Sequence, residues 1–296
     1  MKLKAFPRRM HAARRSGFTL IEMLVVISIV VVILGVGVGA TMKFREAATN
    51  RAADDQMKQL QIALNGQYET VVSQCNKDKP PDAILAYCGG DPDRTRAVHA
   101  AAMLRTYFPE TFAEATASFS IQSPTDPTKV QNYNNPVRAA FKQVAGSTGL
   151  TPEQQSAVLL YLILSEQAVG QGSGEVRSKE GMVKDSGGKD YKVFIDPWNT
   201  PIRFSRWAQH ADLDVAPYAH ASPSGSIDPL DPKSRVVTVT STWTAAQRDP
   251  LNVAQRNLQF VSRNRVPSVF SAGKDKTDPT DDRIGYKLNR QGASGK

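Results

Sequence analysis

Glu22 is the one ionisable side chain in the stretch 18–40, which is otherwise almost wholly apolar. A carboxylate inside an apolar helix costs on the order of 2.5–3.5 kcal/mol on insertion scales, and such residues commonly serve a function with a partner nearby. Gly17 and Phe18 stand just ahead of it, behind the basic pair Arg14-Arg15. Only Thr19, Glu22 and Ser28 interrupt the apolar character up to Ala40.

Two further groups could do chemistry. Asp275, Asp278, Asp281 and Asp282 crowd into eight positions near the C-terminus. Calcium takes six to eight oxygens from carboxylates and carbonyls in a pliable loop, so this segment is a candidate cation loop. The alternative is a solvated acidic turn, because Asp favours turns and Lys274, Lys276 and Arg283 dilute the charge. Cys75 and Cys88 could form a disulfide if their region lies outside the cytoplasm, or remain buried thiols. Without clustered histidines they do not make a zinc site. The four histidines are scattered. No phosphate-binding glycine loop, metal-protease helix or nucleophile elbow is present in the sequence, so no enzyme is expected.

The formal net charge of +9 does not mark a nucleic-acid binder. Lys2, Lys4, Arg8, Arg9, Arg14 and Arg15 put six positive charges, and no acid, into residues 1–17. The other 31 basic residues face 28 acids. A short basic segment before an apolar run holds an N-terminus on the cytoplasmic side.

The elements that must position these groups begin with 18–40. A helix over those 23 residues covers about 34 Å, enough to cross a bilayer core. It reads as a plain membrane anchor, as a secretory signal with Val38-Gly-Ala40 as cleavage site, or as a processed leader and core helix. The apolar run exceeds the usual length of a secretory signal. Gly35, Gly37 and Gly39 allow close approach of neighbouring helices or are ordinary small residues of a membrane helix.

Gly17-Phe-Thr-Leu-Ile-Glu22, with a basic leader before it and an apolar run after it, resembles the cleavage and methylation motif of type IV prepilins and type II secretion pseudopilins. The resemblance implies that a prepilin peptidase/methyltransferase cuts between Gly17 and Phe18 and methylates Phe18. It further implies that Glu22 pairs with the new α-amine of a neighbouring subunit as the helices stack into a filament.

The segment 41–75 continues the helix with an apolar stripe at Met57, Leu60, Leu64, Tyr68 and Val71, which needs a cover. Residues 76–190 read as a mostly helical and loop insertion, with helices at His99–Phe108, at Phe112–Phe119 and over Thr151–Ala168, where Thr151 caps and Pro152 takes the first helical position. Ser123–Pro136 and Gly170–Lys189 read as loops. Residues 191–296 read as β-rich: Tyr191–Ile195 and Pro201–Arg206 form a hairpin around Asp196-Pro-Trp-Asn-Thr200, with strands at Arg235–Ser241 and Val266–Ser271. That turn resembles the Asp-Pro-Trp-Gly-Asn-Pro turn of major pseudopilins, with Asn-Thr in place of Gly-Asn. Ser271-Ala-Gly-Lys-Asp275 resembles the C-terminal Ser-x-Gly-x-Asp loop of the same subunits, which binds calcium; Asp275 matches its first acidic ligand and Asp281 and Asp282 the later pair.

The expected fold is therefore α+β and pilin-like: a long N-terminal helix on a small antiparallel sheet, with a helical insertion. The expected function is a structural subunit of a type II secretion pseudopilus. The alternatives are a type IV pilin of a surface fibre or a membrane-anchored binding protein that does not polymerise. Expected partners are the peptidase, copies of the chain, other pilins or pseudopilins, an inner-membrane assembly platform and membrane lipid, with no nucleic acid. The expected place is the bacterial inner membrane as a single pass, with the C-terminal region in the periplasm, and then the filament.

Overall fold

The computed structural model describes residues 19–123, 125–133, 141–165, 178–206, 267–274 and 283–285, apart from the side chains at 36–40 and 283. The chain divides into two compact units, Met1–Asn50 and Arg51–Lys296. Helix α1 (Leu20–Lys77) runs through the boundary.

In the first unit the apolar side chains of α1 are exposed on every side: Leu20 is 84 % and Ile33 63 % exposed. A helix apolar all round is not soluble alone and belongs in lipid or against other helices. Phe18 and the side chains of 36–40 lie outside the described residues. The described apolar part, 20–35, covers about 24 Å, short of the roughly 30 Å hydrocarbon core. Among the described residues no helix is long and apolar enough to cross a membrane.

In the second unit the expected stripe of α1 is the core. Met57, Leu60, Leu64, Tyr68 and Val71 are all buried. Their cover is α5 (Pro152–Ser165), together with β4 (Asp190–Phe194), β5 (Arg203–Ser205) and β6 (Ser268–Ser271). Thr151 and Gln154 cap α5 reciprocally: each backbone N–H donates to the other's side-chain oxygen, at 3.0 and 3.3 Å. From Ser156 to Leu164 every residue of α5 is buried, which explains its apolar sequence at a length too short for a membrane.

The strands are antiparallel. β3 (Glu180–Lys184) pairs with β4, and β5, β6 and β7 (Arg283–Ile284) form a three-stranded sheet in that order. The expected hairpin is present: Ile195 bridges Pro201, and Ile202 N–H donates to Phe194 O at 2.9 Å. Its turn is held by the carboxylate of Asp196, whose Oδ1 accepts from the N–H of Trp198 (2.9 Å) and of Thr200 (2.8 Å). Asn199 stands where the pseudopilin turn has glycine, and it adopts φ +63°. Asn is the non-glycine residue that visits this left-handed region most readily, so the substitution preserves the turn.

The insertion is richer in structure than its sequence suggests. Helix α3 (Pro92–Tyr107) begins seven residues before His99, because Asp91 accepts from the N–H of Asp93 and Arg94 and Pro92 takes N1. Helix α4 (Phe112–Thr116) is capped by Thr111 and stops short of Phe119. Phe119 instead opens β1 (Phe119–Gln122), which pairs with β2 (Val130–Tyr133) inside the segment expected to be a loop. Asp126 closes that hairpin by accepting from Thr128 N–H and hydroxyl. β3 likewise falls within the expected loop 170–189. Ile84, Tyr87, Cys88, Val98, Ile121 and Tyr133 build a second core, with α2 (Asp82–Tyr87) contributing the first two. The alanines of α3 let it serve both cores: Ala100 and Leu104 face the first, Ala97, Ala101 and Ala102 the second. The expected strand Arg235–Ser241 lies outside the described residues.

Candidate functional site

Glu22 lies in the first turn of α1, and its carboxylate is engaged locally. Thr19 N–H donates to Oε2 at 2.8 Å, and the Thr19 hydroxyl donates to the same oxygen at 2.9 Å. Glu22 N–H donates back to Thr19 Oγ1 at 3.3 Å. This is a reciprocal capping box, Thr-x-x-Glu, satisfying donors that a helix start leaves open. The sequence treats Glu22 as an isolated carboxylate; Thr19, three residues earlier, is the signal that it is not. Gly17 and Phe18 lie outside the described residues.

The head of the acidic loop is tied down. Ser271 hydroxyl donates to Asp196 Oδ2 at 2.8 Å, and Gly273 N–H donates to Ser271 Oγ at 3.2 Å, with Gly273 at φ +66°. Asp196 is 0 % exposed. The Asp-Pro-Trp turn and the Ser-x-Gly segment, quoted separately from the sequence, are therefore one hydrogen-bonded structure. Asp275, Asp278, Asp281 and Asp282 lie outside the described residues. Among the described residues no three or more His, Cys, Asp or Glu side chains are placed to hold a metal.

Cys75 and Cys88 are unbridged and buried, which corrects the disulfide expectation in favour of its alternative. The reason is placement: Cys75 sits in the main core and Cys88 in the second. Burial pushes the Cys75 thiol up to about 11, with the charge of Asp78 adding to it. Burial pushes the Cys88 thiol up to about 12.

Several positioning residues are invisible to periodicity. Three glutamines of α1 donate side-chain amide bonds to backbone carbonyls: Gln56 to Ile195 O (2.7 Å), Gln61 to Pro267 O (2.7 Å) and Gln67 to Ile163 O (3.0 Å). Gln61 Oε1 also accepts from Val269 N–H at 3.0 Å, so one side chain pairs with a strand as another strand would. Arg206, 2 % exposed at the end of β5, reaches Glu114 at 3.1 Å, Glu110 at 3.5 Å and Phe108 O at 3.0 Å. It joins the sheet to the insertion.

The family model of the prokaryotic N-terminal methylation motif matches residues 12–41. The chain carries a prepilin-type N-terminus. This is the cleavage and methylation signature of type IV pilins and pseudopilins, which are filament subunits and not enzymes. The prepilin-type segment and the α+β architecture, a long N-terminal helix with small antiparallel sheets, agree with a pilin-like fold. No curated protein matches the chain, and no solved structure does.

Proposed function

We propose that this chain is a structural subunit of a type II secretion pseudopilus. A prepilin peptidase cuts between Gly17 and Phe18 and methylates Phe18. The apolar stretch anchors the precursor in the bacterial inner membrane, with the C-terminal region in the periplasm, and then packs into the filament core. The observation that carries this reading is the match over 12–41. The turn at Asp196, hydrogen-bonded to Ser271, supports a pseudopilin over a surface pilin, because both segments resemble pseudopilin motifs.

Cleavage converts the Phe18 nitrogen into a cation. Glu22 of one subunit can then face the Phe18 amine of the next, and two groups costly to bury alone become a pair. The pair favours one axial register. Calcium at Asp275, Asp278, Asp281 and Asp282 is part of the proposal: a set of carboxylates close in sequence is the donor chemistry a hard cation takes. The bound ion would tie the loop's carboxylates together and supply no reaction.

The test is assembly in cells carrying the peptidase and platform. Glu22→Ala should insert in the membrane, be cleaved, and form few filaments. Wild-type filament yield from that variant would overturn the pairing.

A further inference from the structure

Just beyond the apolar run 18–40, apolar and basic side chains alternate as Met42-Lys43-Phe44-Arg45. All four are exposed, Met42 at 68 % and Phe44 at 74 %. Neither Lys43 nor Arg45 forms an ion pair among the described residues. Four successive helical residues make just over one turn, so these side chains point around the whole circumference of α1. A helix over 18–40 covers about 34 Å, against a hydrocarbon core of about 30 Å. With Phe18 at the cytoplasmic surface, residues 42–45 reach the headgroup layer of the opposite leaflet.

A lipid–water interface suits both kinds of side chain at once. Apolar groups dip toward the acyl boundary, while Lys and Arg extend their charged heads to the phosphates. Water would leave Met42 and Phe44 uncovered, and the hydrocarbon core would strand Lys43 and Arg45. Proteolysis sharpens the role. It removes the six leader cations, and from Phe18 to Arg45 the only basic side chains left are Lys43 and Arg45.

We infer that Met42, Lys43, Phe44 and Arg45 form an interfacial collar that binds the phosphate headgroups of anionic phospholipid in the periplasmic leaflet and sets the depth of the mature subunit before assembly. The inference rests on the anchor reading above. The electrostatic hold on the membrane passes from the leader, on the cytoplasmic side, to the opposite leaflet once the leader is gone. Each basic residue near an anionic surface strengthens the attraction by about fivefold, and salt screens it.

The experiment uses the full mature chain from Phe18, reconstituted in phosphatidylcholine vesicles with a trace of spin-labelled phosphatidylglycerol or spin-labelled phosphatidylcholine. Electron paramagnetic resonance reads the fraction of each lipid that the protein immobilises, and resistance to alkaline carbonate extraction reads insertion. Phosphatidylglycerol should be preferred by about two- to fivefold at low salt, and molar sodium chloride should bring the two lipids close to parity. Lys43→Gln with Arg45→Gln should lose the preference and stay inserted. Lys43→Arg with Arg45→Lys should keep it, as should the charge-matched control Lys77→Gln with Lys79→Gln. Equal immobilisation of the two lipids by the wild type, or a preference that survives in the Lys43/Arg45 glutamine variant, overturns the collar. If the lipids are not discriminated but that variant assembles fewer filaments in cells, the pair serves a protein neighbour and the lipid assignment falls. A mature chain extracted by carbonate contradicts the anchor reading itself, so the two failures are distinguishable.

Discussion

Asp196 Oδ2 and the hydroxyl of Ser271 meet at 2.8 Å across 75 residues of sequence. The carboxylate is fully buried and serves two backbone N–H groups of its own turn as well. One side chain thus shapes the turn after β4 and fixes the residue from which the acidic loop departs.

That arrangement predicts a graded loss. Asp196→Ala strands the buried Ser271 hydroxyl and two half-buried backbone N–H donors, and a buried donor left unsatisfied costs about 1–3 kcal/mol. Urea denaturation of the mature protein should show a loss of about 1–3 kcal/mol. Asp196→Asn keeps one carbonyl oxygen and should lose less. Equal stability of Asp196→Ala and wild type would refute the role.

Calcium is tested separately. Millimolar calcium should raise the melting temperature of the wild-type protein and chelator should lower it. Identical melting curves in both would remove calcium from the account.

His99 predicts a pH dependence. A hydrogen bond joins His99 Nδ1 and Tyr133 Oη at 2.8 Å inside the second core. Burial holds the ring below its ordinary 6.5, against a smaller opposing pull from Asp78. The native state therefore keeps the ring neutral while the unfolded chain binds a proton near 6.5. Stability is full above that value and falls as pH drops below it. Denaturation midpoints should decline between pH 7.5 and 5, and a His99→Gln variant should decline less. A steeper decline in the variant would contradict the assignment.

The thiols predict protection. With Cys75 and Cys88 pushed to about 11 and about 12, almost no thiolate exists at pH 8, and both sulfurs are buried. Iodoacetamide should modify both in urea and neither, on the same timescale, in the native protein. Rapid native labelling of either would show that its core is open.

What the sequence revealed depended on periodicity and punctuation. The stripe from Met57 to Val71, the cap at Thr151-Pro152 and the turn at Asp196 each announce themselves within a few residues. β3 does not: only Val183 is buried along it, so its alternation has almost no apolar signal. α3 is legible only in its apolar half, from His99 on, because Asp93, Arg94 and Arg96 give its first turns no apolar stripe. Gln61 is the sharpest case. Its value lies in matching the backbone of Pro267 and Val269, more than 200 residues away, and no local pattern encodes that. Gly285 is complementary to it, since a Cβ there would lie 2.4 Å from Val269 Cγ2 and 2.7 Å from Gln61 Oε1.

The central claim is that Glu22 acts beside an amine made by proteolysis at Phe18. The most direct test is the intact mass and N-terminal sequence of the protein purified from its native membrane. The account predicts a chain that begins at N-methylated Phe18 and lacks residues 1–17. A chain that begins at Met1, or at Thr41, contradicts it.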